Sequence, residues 1–185
     1  MPRNDNATLV VSSGIIYKST TGTVFPEDLS APGGDWDEIG HTSLEEILGI
    51  ASEGGEATTL GTLQNKQLRV VYADRTETFT LNLQQWDSTG LALYYGQNMV
   101  DVQSDGTLLG VPNTPAPTEC AFLAVFKDQS NIFAIYAPKV SIFRGDDVDL
   151  SDTESLASLP LAITPLQHAS NQWTYAVTPM GTTGS

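Results

Sequence analysis

Two neighbouring runs, residues 121–127 and 131–143, are apolar on both of the faces that an extended chain presents. Leu123 and Val125 fall on one face of the first run, Phe122 and Phe126 on the other. Side chains alternate along a strand, so each run must be covered above and below. A free antiparallel sheet normally leaves one face to water. The turn Asp128-Gln129-Ser130 joins the runs into a hairpin that must lie inside a β-rich fold. Its cover comes either from a helix of the same chain or from a neighbouring subunit.

Most of the remaining chain also reads as strand. Residues 8–17 are rich in β-branched side chains and follow a polar arm, residues 1–7. Residues 19–37 hold Pro26, Pro32, Gly33 and Gly34 and read as a long loop. Residues 39–43 and 47–52 are short strand candidates around Leu44-Glu45-Glu46, with Gly54-Gly55 closing the pair. The second of them could instead be a short helix, because its apolar period is unclear. Residues 54–67 read as a second long loop. Residues 67–84 are the longest strand candidate. Leu68, Val70 and Tyr72 are apolar at even positions and Phe79, Leu81 and Leu83 at odd ones. That change of phase requires a bulge or bend at residues 73–75.

One good helix is expected, over residues 85–95, capped by Gly96. Gly90 inside it costs about 1 kcal/mol against alanine, so burial must hold this helix in place. Two strands follow around Ser104-Asp105-Gly106, then a loop with Pro112, Pro115 and Pro117. Ser151-Asp152-Thr153-Glu154 matches a capping box and predicts a short helix ended by Pro160. Residues 161–168 and 173–178 read as a closing pair of strands, and residues 179–185 as a flexible tail.

Charge is unevenly distributed. Lys18 and Lys66 enclose nine acids and no base, and five more acids follow Arg144, the last basic residue. The rest of the chain is balanced, so the net charge of −14 arises in those two stretches. The eight bases are scattered, with no cluster to displace counterions from phosphates, which argues against nucleic-acid binding. No apolar run approaches the roughly 20 residues of a membrane span, and no signal pattern opens the chain. A single cysteine, Cys120, excludes an internal disulfide and fits a reducing compartment, where it reads as a buried small hydrophobe.

Candidates for catalysis are poor. Neither His41 nor His168 has a second ligand at metal-site spacing. Residues 101–106 resemble the start of a calcium loop, but the twelfth position is Pro112 where a glutamate is needed, so a hairpin turn is expected. Adjacent acids such as Glu45 and Glu46 point apart in extended chain and read as solvated surface. No phosphate-binding glycine loop or nucleophile elbow is present, and no cofactor or metal is expected.

Four segments, taken in order, carry a resemblance. They are GTVFPEDLSAPGGDWDEIGHTS (residues 22–43), EGGEATTLGTLQNKQLRVV (53–71), TFTLNLQQWDSTGLALYYG (78–96) and GDDVDLSDTESLASLPLAIT (145–164). Together they resemble the major tail protein, the tail-tube subunit, of long-tailed, non-contractile bacteriophages, especially those of actinobacterial hosts. The likeness spans residues 8–178. It implies a mainly β fold, a β-sandwich or incomplete barrel with one flanking α-helix, filling a single domain over residues 1–185. It implies hexameric rings stacked into a tube that conducts DNA without binding it, in the tail of the virion. It further implies tape-measure and tail terminator or tip proteins as partners, no membrane, and assembly in the host cytoplasm. The arm and the loops 19–37 and 54–67 would bridge subunits.

The charge then acquires a purpose. Carboxylates lining a bore repel DNA over about 8 Å at physiological salt. Glu56, Asp146, Asp147 and Asp149 are the candidates for that lining. Six copies multiply the charge of −14 sixfold, so contacts between subunits should rest on apolar residues, Phe25, Leu29, Ile47, Leu48, Leu60 and Leu63, or on a base such as Lys66. The plainer reading is that the charge only confers solubility. Alternatives for the whole chain are the inner tube of a secretion system or contractile particle, and a monomeric β-barrel binding module.

Overall fold

The computed structural model describes residues 8–129 and 131–180. The expected arm, the last residues of the expected tail and Ser130 of the turn lie outside the described residues. In chain order the elements are β1 (Ser13–Ser19), β2 (Asp37–Glu38), β3 (Gly49–Gly54), β4 (Ala57–Leu60), β5 (Arg69–Tyr72) and β6 (Arg75–Leu83). The helix α1 (Ser88–Tyr95) follows, then β7 (Val100–Asp101), β8 (Leu109–Gly110), β9 (Thr118–Asp128), β10 (Asn131–Arg144), β11 (Leu159–Pro165) and β12 (Ala176–Val177). One antiparallel sheet runs in the order β2-β1-β9-β10-β11-β6-β3, with β12 also paired to β10. The pairs β4–β5 and β7–β8 stand apart from it as two-stranded ladders.

The large sheet curls over itself. Phe79 on β6 and Phe122 on β9 lie 6.0 Å apart between ring centroids, although β10 and β11 separate their strands. Strands are spaced by about 4.8 Å, so a flat sheet would hold these residues about 14 Å apart. Curling gathers Phe79, Leu81 and Leu83 of β6, Phe122 and Ala124 of β9, Ile135 and Ile142 of β10, and Leu161 and Ile163 of β11 into one core. Leu93 and Tyr94 of α1 join that core, and the helix packs against β10 and β11. The result is a β-sandwich or open barrel with one helix. Each large side chain fully buried there contributes about 1.5–3 kcal/mol.

The other face of β9 belongs to a second core. Ala121, Leu123 and Val125 pack with Tyr17, Ile132, Ala134 and Tyr136, and with Leu29 and Trp36 from the long loop. The demand of the central hairpin for cover on both faces is therefore met within the chain.

Several expectations need correction. Residues 54–67 are not simply a loop, because their first part forms β4. The run 67–84 is two strands, β5 and β6, broken at Ala73 and Asp74 where the phase of its apolar residues changes. Gly54 and Gly55 bend the partner strand at the same level, with φ of 85° and 71°, rather than closing a pair with residues 39–43. Gly55 N–H donates to Asp74 O and Ala73 N–H to Glu56 O across this shared joint. Residues 47–52 take the strand option, but β3 pairs with β6, and residues 39–43 contribute only a single bridge, Thr42 with Leu83. The longest strand is β10, not the run 67–84. β11 and β12 each pair with β10, not with each other.

The two helix predictions fared differently. α1 starts later than expected, at Ser88, capped by Asp87, whose carboxylate accepts from Gly90 N–H at 2.8 Å. Gly90 is buried, and a Cβ there would stand 2.4 Å from the carbonyl oxygen of Gln85, so close backbone packing explains this glycine. No helix follows the capping box at Ser151. Asp149 accepts from Ser151 N–H and Asp152 from Glu154 N–H, and these local side-chain bonds replace the helical ones.

Candidate assembly surface

Three surfaces stand out. The first is the outward face of the β3–β6–β11 strip. With Phe79, Leu81 and Leu83 turned inward, Thr76, Thr78, Thr80 and Asn82 point out, flanked by Ala51 and Glu53 of β3 and Ala162 of β11. This small, polar strip borders a cleft of about 450 Å³ that also takes in Glu46, Glu53 and Asp146. Asp146 is held there by its backbone, whose carbonyl accepts from Tyr94 Oη at 2.8 Å. Burial raises the pKa of the Tyr94 hydroxyl, so it stays protonated as a donor.

The acids around this strip lack ion-pair partners, although Glu46 accepts from Asn82 Nδ2 and Asp146 Oδ1 from Asp147 N–H. Lys139 and Glu119, 2.9 Å apart, form the single ion pair among the described residues. Asp149 and Asp152 have lowered pKa values, chiefly from the hydroxyls of Ser151 and Ser155, which keeps both carboxylates charged. Of the expected bore residues, Asp146 reaches the cleft. Glu56 sits exposed at the joint between β3 and β4, and Asp147 and Asp149 are exposed farther along the 145–154 segment. The four are not brought together, and Glu53 and Glu46 take the places beside Asp146.

The second surface is the β4–β5 hairpin. Each residue of both strands is exposed, and so are Leu63 (90%) and Leu68 near the tip. Leu60, Leu63 and Lys66, expected as contact residues, lie here with their side chains free. Val70, Val71 and Tyr72 are exposed with them, although the sequence placed them only in a long strand candidate and not among the contact residues. The signal was present, because residues 57–73 contain no acid at all and two bases, Lys66 and Arg69.

The third is the loop 19–37, which turns out to be pinned inward. Leu29, expected as a contact between subunits, is only 5% exposed and belongs to the second core, because the loop must shield β9. Phe25 packs edge-on to Tyr136 with ring centroids 5.5 Å apart and keeps part of its surface exposed. Ile47 and Leu48 are half-buried against the main core. Residues 30–35, between the anchors Leu29 and Trp36, remain mostly exposed.

No catalytic arrangement emerges from these surfaces. Among the described residues no three metal-binding side chains cluster. His41 is exposed, with its backbone N–H directed at Gln85 Oε1, whereas His168 lies against Gly22. Cys120 is buried and its pKa is pushed up to about 11 by desolvation, so it remains an unreactive thiol. Among the described residues no helix is long and apolar enough to cross a membrane.

An open β-sandwich with unpaired acids and a bare apolar hairpin describes a structural subunit, and comparison with known proteins agrees. A family model described as phage tail tube protein matches residues 1–179, and the chain belongs to that family. It is 33% identical to the major tail protein Gp23 of Mycobacterium phage L5 over 181 aligned residues, covering 91% of this chain and 89% of the relative. The major tail protein Gp23 of Mycobacterium phage D29 is 32% identical over the same lengths. The resemblance read from the four sequence segments thus holds, and the chain is a structural protein of a phage tail.

Proposed function

We propose that copies of this chain form hexameric rings that stack into a tail tube, the conduit for DNA ejection into the host. The observation that carries this reading is the outward β3–β6–β11 strip, small and polar, with unpaired carboxylates at its border. A bore lined this way offers DNA no cation with which to exchange counterions, so the polyanion slides without sticking. Glu53 and Asp146 are the leading candidates for the lining, with Glu56, Asp147 and Asp149 at its margins.

The chain acts as a single tail-tube domain, residues 1–185, and has a structural rather than an enzymatic role. Its arm (1–7) and its loops (19–37 and 54–67) serve contacts between copies. Tape-measure, terminator or tip proteins complete the tail, which is assembled in the host cytoplasm. The inner tube of a secretion system or contractile particle is less favoured, since the matching family and relatives are phage tail proteins. A monomeric binding barrel is disfavoured by a sheet that leaves its edge strands β2 and β3 unjoined.

Negative-stain electron microscopy of the concentrated protein tests the reading. Hollow tubes or stacked rings are expected; a population that stays monomeric at every concentration would overturn it.

A further inference from the structure

The β4–β5 hairpin is built as though it had a partner. A two-stranded hairpin alone is at best marginally stable in water. This one is exposed on both faces, yet its tip is well formed, with Thr62 and Asn65 exchanging backbone hydrogen bonds and Leu68 N–H donating to Leu60 O at 3.1 Å. Its charge is unlike that of the remaining chain. Residues 57–73 carry +2 in a protein of net −14, so everything outside them carries −16.

A complementary surface exists at the other end of the β3–β6 pair. Residues 43–46, Asn82 and Gln84 at the end of β6, and residues 154–158 line a cleft of about 480 Å³. Its rim holds Glu45, Glu46 and Glu154, and two leucines stand open beside them, Leu44 (87% exposed) and Leu156 (74%). Acid and leucine in the cleft thus match base and leucine on the hairpin.

The two surfaces cannot meet within one subunit. The hairpin leaves β6 at Arg75 and the cleft forms at Asn82, seven residues farther on. At about 3.3 Å per residue the strand keeps the base of the hairpin and the cleft roughly 23 Å apart. We propose that the β4–β5 hairpin of one copy seats in the cleft between residues 43–46, 82–84 and 154–158 of another. Lys66 and Arg69 then face Glu45 and Glu154, while Leu63 and Leu68 cover Leu44 and Leu156. This inference rests on the reading that the chain self-assembles, and it names the surfaces that do so. Such a contact is head-to-tail, and a head-to-tail contact either closes a ring or continues as a filament, the two operations that a tube requires. It also resolves the difficulty of packing copies that each carry −14, because the basic hairpin lies against the acidic rim.

Exchange of charge tests the pairing. Three variants are compared with wild type: K66E/R69E in the hairpin, E45K/E154K in the cleft, and all four substitutions together. Circular dichroism reports folding, and sedimentation with electron microscopy reports the polymerised fraction. Each two-site variant is expected to stay folded and lose most of its polymer, and the four-site variant to regain it. Where a reversed charge disturbs folding, Leu63→Asp at the exposed tip gives the same loss without touching the sheet. Wild-type tubes together with two-site variants that polymerise equally well would overturn the pairing and leave the tube reading standing. So would folded two-site variants whose loss the four-site variant fails to restore. A wild type that never polymerises would overturn both.

Discussion

Tyr136 Oη donates to the carbonyl oxygen of Thr23 at 2.6 Å, tying β10 to a loop 113 residues earlier in the chain. Phe25 and Trp36 meet the same ring edge-on, at 5.5 and 6.2 Å, so one tyrosine anchors the loop 19–37 at two levels. Removing only the hydroxyl leaves a part-buried carbonyl without its donor, at a cost of about 1 kcal/mol. Tyr136→Phe is therefore expected to lower the thermal midpoint by about 2–4 °C. Trp36→Ala, which empties the second core, is expected to cost about 3–5 kcal/mol. Thermal unfolding followed by circular dichroism checks both, and an unchanged midpoint in Trp36→Ala would contradict the assignment of this loop to the core.

Gly90 lies inside α1, where alanine would ordinarily stabilise by about 1 kcal/mol. Here the added Cβ meets the backbone oxygen of Gln85 at 2.4 Å, with Leu83 Cδ2 also near at 3.1 Å. The expected sign is reversed, and Gly90→Ala should destabilise by about 1–3 kcal/mol. Urea titration decides between the two signs.

Asp87 caps α1, and its pKa is lowered chiefly by the N–H of Gly90 and next by Gln85. A carboxyl whose folded value lies below its unfolded one stabilises above the unfolded value, about 3.8, and loses that contribution as pH falls through the folded value. Asp87→Ala should cost about 1 kcal/mol at neutral pH. In urea titrations the gap between wild type and variant should persist down to about pH 4 and close as the pH falls further. A gap independent of pH would show that the charge of Asp87 contributes nothing to the cap.

Much of this architecture was legible in residue patterns, and the failures have physical causes. The doubly apolar hairpin was readable because no single-faced sheet could hold Phe122 and Leu123 side by side. The bend near Ala73 followed from the phase change between Tyr72 and Phe79. What could not be read was which partner each strand chose: β3 lies closer in sequence to residues 39–43, yet it pairs with β6, because only the curl of the whole sheet decides that. Leu29 looked like an exposed loop residue because nothing local shows that β9 needs a lid on its second face. The helix expected after Ser151 failed because Asp149 and Asp152 offer the backbone competing local bonds. The acid count exposed the charge segregation, but bringing Glu53 and Asp146 to one cleft took the fold.

The outward strip beside that cleft predicts a functional effect. Replacing Glu53 and Asp146 with lysine places cations where DNA would pass, each able to engage a phosphate. Tubes should form normally, since neither residue belongs to the hairpin or to its cleft, but DNA ejection should slow, most at low salt. Ejection kinetics measured at two ionic strengths would reveal it, and unaltered rates in intact tubes would contradict the lining role.

A reconstruction of the assembled tube by electron cryo-microscopy is the most direct measurement of how these subunits are arranged. It should show sixfold rings around an open bore, with Thr78, Thr80, Glu53 and Asp146 on the inner wall. A tube that carries those carboxylates only on its outer surface, or a bore lined with Lys66 and Arg69, would contradict the account.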